Sequence, residues 1–165
     1  NKSIINYANS KYASPLNDFL LIGNCSLVIS SASGFCNLPE NFEKPLLILN
    51  GHHLFQYFGR RTIHLPTLLS RRSEMFNAIT QFKYLCDYGV DCGYDTFDDL
   101  YILHMPTSEE IFMAAKELET FLSQSVPSHT SLQKKIRDGD GCPLLSYGLS
   151  RISNYYLTKH EYFFV

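Results

Sequence analysis

Two short, uninterrupted apolar runs, Leu27-Val28-Ile29 and Leu46-Leu47-Ile48-Leu49, constrain what this chain can fold into more than any other feature. Neither alternates with polar residues and neither is long enough for a buried helix. Each therefore reads as a strand covered on both faces, as in a parallel sheet. Residues 30–45 connect them, long enough for the crossover that two parallel neighbours need. The class that follows is α/β: a Rossmann-like parallel sheet with helices on both faces and right-handed crossovers. A further strand is expected at Ile4–Tyr7. The run Ser26–Ser30 is expected to lie centrally, between Ile4–Tyr7 and Leu46–Leu49.

Local signals punctuate this frame. Ser14–Pro15 is a helix start, with serine as cap and proline at the first helical position, and Gly23 marks its end. Leu16, Phe19, Leu20 and Leu21 give that helix an apolar face. Thr62–Leu65 reads as a short strand closed by Pro66, Thr80–Tyr88 as a helix, and Leu100–Met105 as another buried strand. Thr107-Ser108-Glu109-Glu110 is a capping box, with Thr107 as cap and Glu110 reaching back. Beyond it Ile111, Ala114, Ala115, Leu118, Phe121 and Leu122 keep one helix face apolar. Ser123–Thr130 reads as a linker, and the tail from Leu144 as a last helix ending in the packed aromatic stretch Tyr162–Val165. The division expected is a Rossmann-like domain over 1–125 and a carboxyl-terminal segment, 126–165, packing on it.

With 165 residues and 45% apolar content, the chain suits one well-buried domain. A net charge of −2 lacks the positive footprint of a polyanion binder, which argues against nucleic acid as partner. No apolar run approaches the roughly 18 residues of a membrane helix. The five cysteines are odd in number and form no C-x-x-C pair. Cys25 and Cys36 sit in apolar context and read as reduced core thiols, which suits a cytoplasmic protein. The chain opens at Asn1 without methionine and almost at once meets a candidate strand, so further chain upstream is expected.

The residues that carry chemistry cluster after the first apolar run. Ser31, Ala32, Ser33 and Gly34 form a small-residue turn between a strand end and a helix start, where open α/β sheets bind ligands. Backbone N–H groups and hydroxyls can converge there on a phosphate or diphosphate. The same residues would also serve a tight turn chosen for packing alone. Asn50, His52 and His53 follow the next strand end and could face the same crevice, His52 or His53 as general base or phosphate partner. Arg60–Arg61 and Arg71–Arg72 could hold a diphosphate through bidentate contacts, or lie solvated on the surface. Glu109 and Glu110 are accounted for by the cap, with a ribose contact as the alternative. Asp91, Asp95, Asp98 and Asp99 alternate with aromatics but lack the twelve-residue calcium pattern. No histidine or carboxylate pair has metal-ligand spacing, and no G-x-S-x-G elbow supplies a serine nucleophile.

From Ile5 to Leu65 the chain resembles the carboxyl-terminal half of a bacterial GT-B glycosyltransferase. The resemblance is carried by N-Y-A at Asn6–Ala8, then D-F-L-L-I-G-N-C-S-L-V-I-S-S-A-S-G, then E-K-P-L-L-I-L-N. Surface-polysaccharide transferases reading I-A-N-C-x-F-x-I-G-x-x-S-G and F-x-K-P-x-x-x-x-N are the nearest in pattern. Heptosyltransferases and fucosyltransferase-like enzymes are more distantly similar. I-H-L-P at Ile63–Pro66, T-S-E-E-I at Thr107–Ile111 and Y-L-T-K-H at Tyr156–His160 extend the likeness over most of the chain. Ser30–Ser31 stands where the pattern has a glycine-containing turn.

The resemblance implies a nucleotide-sugar as donor substrate, a glycan as acceptor, no metal or other cofactor, and at most peripheral membrane association at the inner face. It gives Ser31, Ser33 and Gly34 to the donor diphosphate, and Asn50, His52 and His53 to the cleft lining; Arg60 is expected to line the cleft with them, and His52, His53 or Arg60 could assist the leaving group. It also implies an amino-terminal acceptor domain upstream, which would supply much of the acceptor site. Two other readings stay open beside it: a non-catalytic nucleotide- or sugar-phosphate-binding module, and a sugar-nucleotide epimerase.

Overall fold

A computed structural model describes residues 4–51, 59–72, 74–87, 101–123, 128–138 and 149–164. The first helix, α1 (Pro15–Asn24), starts where the sequence places it: the Ser14 hydroxyl accepts a hydrogen bond from the Asn17 N–H at 3.2 Å. The first apolar run becomes β1 (Val28–Ser31), followed by a single 3-10 turn (Gly34–Cys36) and a short helix, α2 (Asn37–Asn41). The second run becomes β2 (Leu46–Gly51), and β3 (Thr62–Pro66) follows. The chain then passes through Thr67 into β4 (Leu68–Arg71), β5 (Glu74–Met75) and α3 (Ala78–Asp87). After β6 (Tyr101–His104) and the long α4 (Ser108–Ser123) come α5 (Ser131–Asp138), β7 (Arg151–Ile152), α6 (Asn154–Lys159) and α7 (Glu161–Phe164).

The main sheet is four-stranded and wholly parallel, in the order β1-β2-β3-β7. The second apolar run and β3 behave as doubly covered strands should, with Leu46, Leu47, Ile48, Ile63 and Leu65 completely buried, whereas the first run does not: Ile29 is exposed and Leu27 and Val28 are only partly buried. Leu47, Ile63 and Leu65 face one layer, with Ala114, Leu118 and Phe121 of α4 and Tyr156, Leu157 and Phe163 of the carboxyl-terminal helices. Leu46 and Ile48 face the other, against Cys36, Val28 and Ala32. Burying each such side chain contributes about 1.5–3 kcal/mol, so the two layers hold the sheet rigid beneath its loops. This is the Rossmann-like α/β arrangement expected from the sequence.

Several expectations are corrected. Among the described strands β1 lies at the sheet edge rather than centrally, and Ile4–Tyr7 is not a strand: Ile4 and Ile5 are largely exposed. The supposed core face of α1 is also open, with Leu16, Phe19, Leu20 and Leu21 all exposed and Ile22 the buried residue. The Leu100–Met105 strand forms as β6, but in a second, antiparallel sheet of order β5-β4-β6, with Ile102 exposed. Cys25 is only partly buried, whereas Cys36 is fully so. The carboxyl-terminal stretch does more than pack on a finished domain, because β7 is the fourth strand of the parallel sheet. A two-residue strand carries too little pattern to be read from sequence.

Candidate functional site

All four parallel strands present their carboxyl ends along one edge of the sheet, at Ser31, Gly51, Pro66 and Ile152. Ligands of open α/β sheets sit outside that edge. Among the described residues two strand-to-helix junctions occur on it, and they differ. At the β7–α6 junction the Glu117 carboxylate of α4 accepts hydrogen bonds from the Ser153 hydroxyl and the Asn154 N–H, both at 2.8 Å. Burial pushes the Glu117 carboxyl above its ordinary range, against those two bonds and the nearby Arg151 guanidinium. The protein's own carboxylate thus occupies the positive start of α6.

At the β1 junction no described carboxylate plays that part. Ser31 ends β1 and is exposed, and the Ala32 N–H is tied to the Leu49 carbonyl of β2 at 3.0 Å. The Cys36 thiol donates to the Ser31 carbonyl at 2.9 Å, and the Cys36 N–H donates to the Ser33 carbonyl at 3.0 Å. These bonds fold the turn back on itself and fix its backbone. Ser33 is extended and exposed, and its hydroxyl makes no capping bond. The N–H groups of Gly34 and Phe35 lack intrahelical partners by position. A Cβ built on Gly34 would meet nothing within 4 Å, so the space before it is open. One expectation weakens here: the helix behind the turn is a 3-10 turn and five residues of α-helix, so its dipole is small and the hydroxyls and N–H groups carry the polarity.

Asn50 lies beside this turn. Its φ of 56° puts it in the left-handed region, which asparagine tolerates better than most residues, and the β2–β3 register shifts there, between Leu49 and Gly51. The bulge re-aims the end of β2 at the same edge. Ser31, Ser33, Gly34 and Asn50 are therefore brought together. His52 and His53 lie outside the described residues, as do Asp91, Asp95, Asp98 and Asp99.

Arg60 is not brought to this site. It precedes β3 and lines a separate cleft of about 370 Å³ with Glu40, Glu43 and Lys44, at the amino ends of β2 and β3, the opposite edge of the sheet. Its neighbour Arg61 is used structurally, donating to the Phe121 carbonyl at 2.7 Å and closing the carboxyl end of α4. Nearness in sequence to the end of β2 suggested the cleft, but a parallel neighbour starts at the opposite edge, so residues just before β3 lie there.

Glu110 serves as the capping box requires. Its Oε2 accepts from the Thr107 N–H at 2.6 Å and the Thr107 hydroxyl at 2.8 Å. Its Oε1 lies 2.7 Å from His160 Nε2 and 3.2 Å from Lys159 Nζ. That second pair of partners, from α6 and its end, could not be read from the sequence. Burial opposes the charge, but the Thr107 bonds, His160 and Lys159 prevail and hold the carboxyl down at about 2. Glu117 was not singled out by sequence reasoning either, since it resembles any polar residue on an amphipathic helix.

Among the described residues no group of His, Cys, Asp or Glu side chains is gathered in a way that could hold a metal ion, and no helix is long and apolar enough to cross a membrane. Comparison with protein-family models, curated proteins and solved structures finds no match to this chain.

Proposed function

We propose that this chain is the donor-binding domain of a glycosyltransferase, which moves a sugar from a nucleotide-sugar to a cell-surface glycan or a related acceptor. The observation that carries the reading is the contrast between the two junctions on the carboxyl edge. One is filled by Glu117, while the other offers hydroxyls, N–H groups and open space, with no carboxylate among the described residues in that place. The resemblance from Asn6 to Asn50 supports the same reading, because its motif falls on that open junction.

In such a transfer negative charge grows on the departing nucleoside diphosphate. Fixed donors aimed at its oxygens, here the Ser31 and Ser33 hydroxyls and the Gly34 N–H, would stabilise it without reorganising during the reaction. Asn50 would line the cleft beside them, with His52 and His53 as candidates for leaving-group assistance. The acceptor site and the base would come from an amino-terminal domain, so this chain alone would bind donor and transfer nothing. It would work in the cytoplasm or at the inner face of the membrane.

Titration calorimetry with UDP, GDP, ADP and CMP tests the reading. Binding of one nucleoside diphosphate in preference to the others, at a Kd below about 1 mM, is expected. Absence of binding by all four, both to this chain and to a longer one carrying an amino-terminal domain, would refute it.

A further inference from the structure

A second polar cleft, of about 640 Å³, lies between the β4–β5 hairpin and α3. Arg71 and Arg72 stand at the hairpin end, and Lys83 faces them from α3. Thr80, Lys83 and Tyr84 are spaced i, i+3, i+4 and so share one helix face. Glu74 is the one described carboxylate lining the cleft, opposite Arg71 in the strand register. No described carboxylate lies within ion-pair distance of Arg71, Arg72 or Lys83. Arg71 instead lies over the Tyr101 ring, 5.2 Å from its centroid. Tyr101 packs on Tyr84 at 4.7 Å, and Phe76 meets both edge-on at 5.9 and 6.1 Å. Arg72 holds a left-handed φ of 48°, a conformation that arginine adopts at a cost.

Among the described residues, three cations against one carboxylate, gathered around an aromatic wall, make a site for an anion with a ring attached. Guanidinium pairs grip phosphate oxygens in a fork, and aromatic faces stack on flat or apolar ring surfaces. The volume falls within the range of small-molecule sites and exceeds what a bare phosphate needs. We propose that this cleft binds a phosphorylated sugar, with Arg71, Arg72 and Lys83 on the phosphate and the Phe76/Tyr84/Tyr101 cluster beside the ring. The proposal does not depend on the donor reading, because no residue is shared with the Ser31–Gly34 turn.

The test is calorimetry with glucose 1-phosphate, inorganic phosphate and glucose on the whole chain. The expected result is binding of glucose 1-phosphate, weaker binding of inorganic phosphate and none of glucose. R71Q/R72Q should weaken glucose 1-phosphate at least tenfold and K83Q several-fold, both with an unchanged far-ultraviolet circular dichroism spectrum, while G34V should leave it unaltered. Three results would each overturn the proposal: no binding at 10 mM glucose 1-phosphate (about a hundredfold above a Kd of 0.1 mM), equal binding by R71Q/R72Q, or loss of binding in G34V alone. Equal affinity for inorganic phosphate would overturn it too, because the ring would then contribute nothing.

Discussion

Glu110 and Glu117 sit on the same face of α4, and their surroundings drive their carboxyls in opposite directions. Glu110 is held down at about 2 by Thr107, His160 and Lys159, against the effect of its burial. Its charged form thus stabilises the fold above the ordinary carboxyl value of 4.5, on the order of 3 kcal/mol at neutral pH. That contribution is lost as pH falls from 4.5 towards 2. Unfolding by urea between pH 5 and 2 should show the loss, and E110Q should flatten it. An unchanged profile would mean that the Glu110 cluster is not formed. Glu117 is shifted upwards, chiefly by burial, so its ionisation opposes folding as pH rises past 4.5. The capping role of Glu110 was legible from the spacing of Thr107 and Glu110. Its bonds to Lys159 and His160 were not, because they join residues about fifty apart.

At the scale of elements, local chemistry was readable and exposure was not. Ser14, Thr107 and the two apolar runs each specify their structure through immediate neighbours. The Thr130–Gln133 box that opens α5 uses the same chemistry, with the Gln133 side chain accepting from the Thr130 N–H at 3.0 Å, and could have been recognised the same way. The face of α1 misled because helical periodicity reports which side is apolar and says nothing of what covers it. Gln81 of α3 is buried, accepts from the Leu69 N–H at 2.8 Å and donates to the Thr67 carbonyl at 2.9 Å. Gln81→Leu would leave both backbone groups of the β3–β4 link unpaired and should cost about 1–3 kcal/mol in urea unfolding, loosening α3 from β4. A smaller loss, with α3 amides still slow to exchange, would show that the bonds are replaceable.

For the whole molecule, the parallel class followed from Leu27–Ile29 and Leu46–Leu49, but the order of strands did not. Order depends on which edge each crossover reaches, and β7 contributes only Arg151 and Ile152 to the pattern. The same blindness put Arg60 in the cleft. Because β7 and the buried Tyr156, Leu157 and Phe163 complete one face, a chain ending before Arg151 should lose its cooperative unfolding transition. Retention of that transition would mean that the carboxyl-terminal segment is a separable layer.

Gly34→Val tests whether the Ser31–Gly34 turn receives a diphosphate. The backbone at Gly34 is outside the left-handed region and the space before it is empty, so valine should leave folding intact while filling the volume a phosphate would occupy. Calorimetric titration of the nucleoside diphosphate that the native chain prefers should show at least a tenfold loss of affinity in Gly34→Val, about 1.4 kcal/mol or more. Ser33→Ala, which removes one hydroxyl donor, should lose only about 0.5–1.5 kcal/mol. Nucleotide binding that Gly34→Val leaves untouched would contradict the account, and the turn would then be a packing device alone.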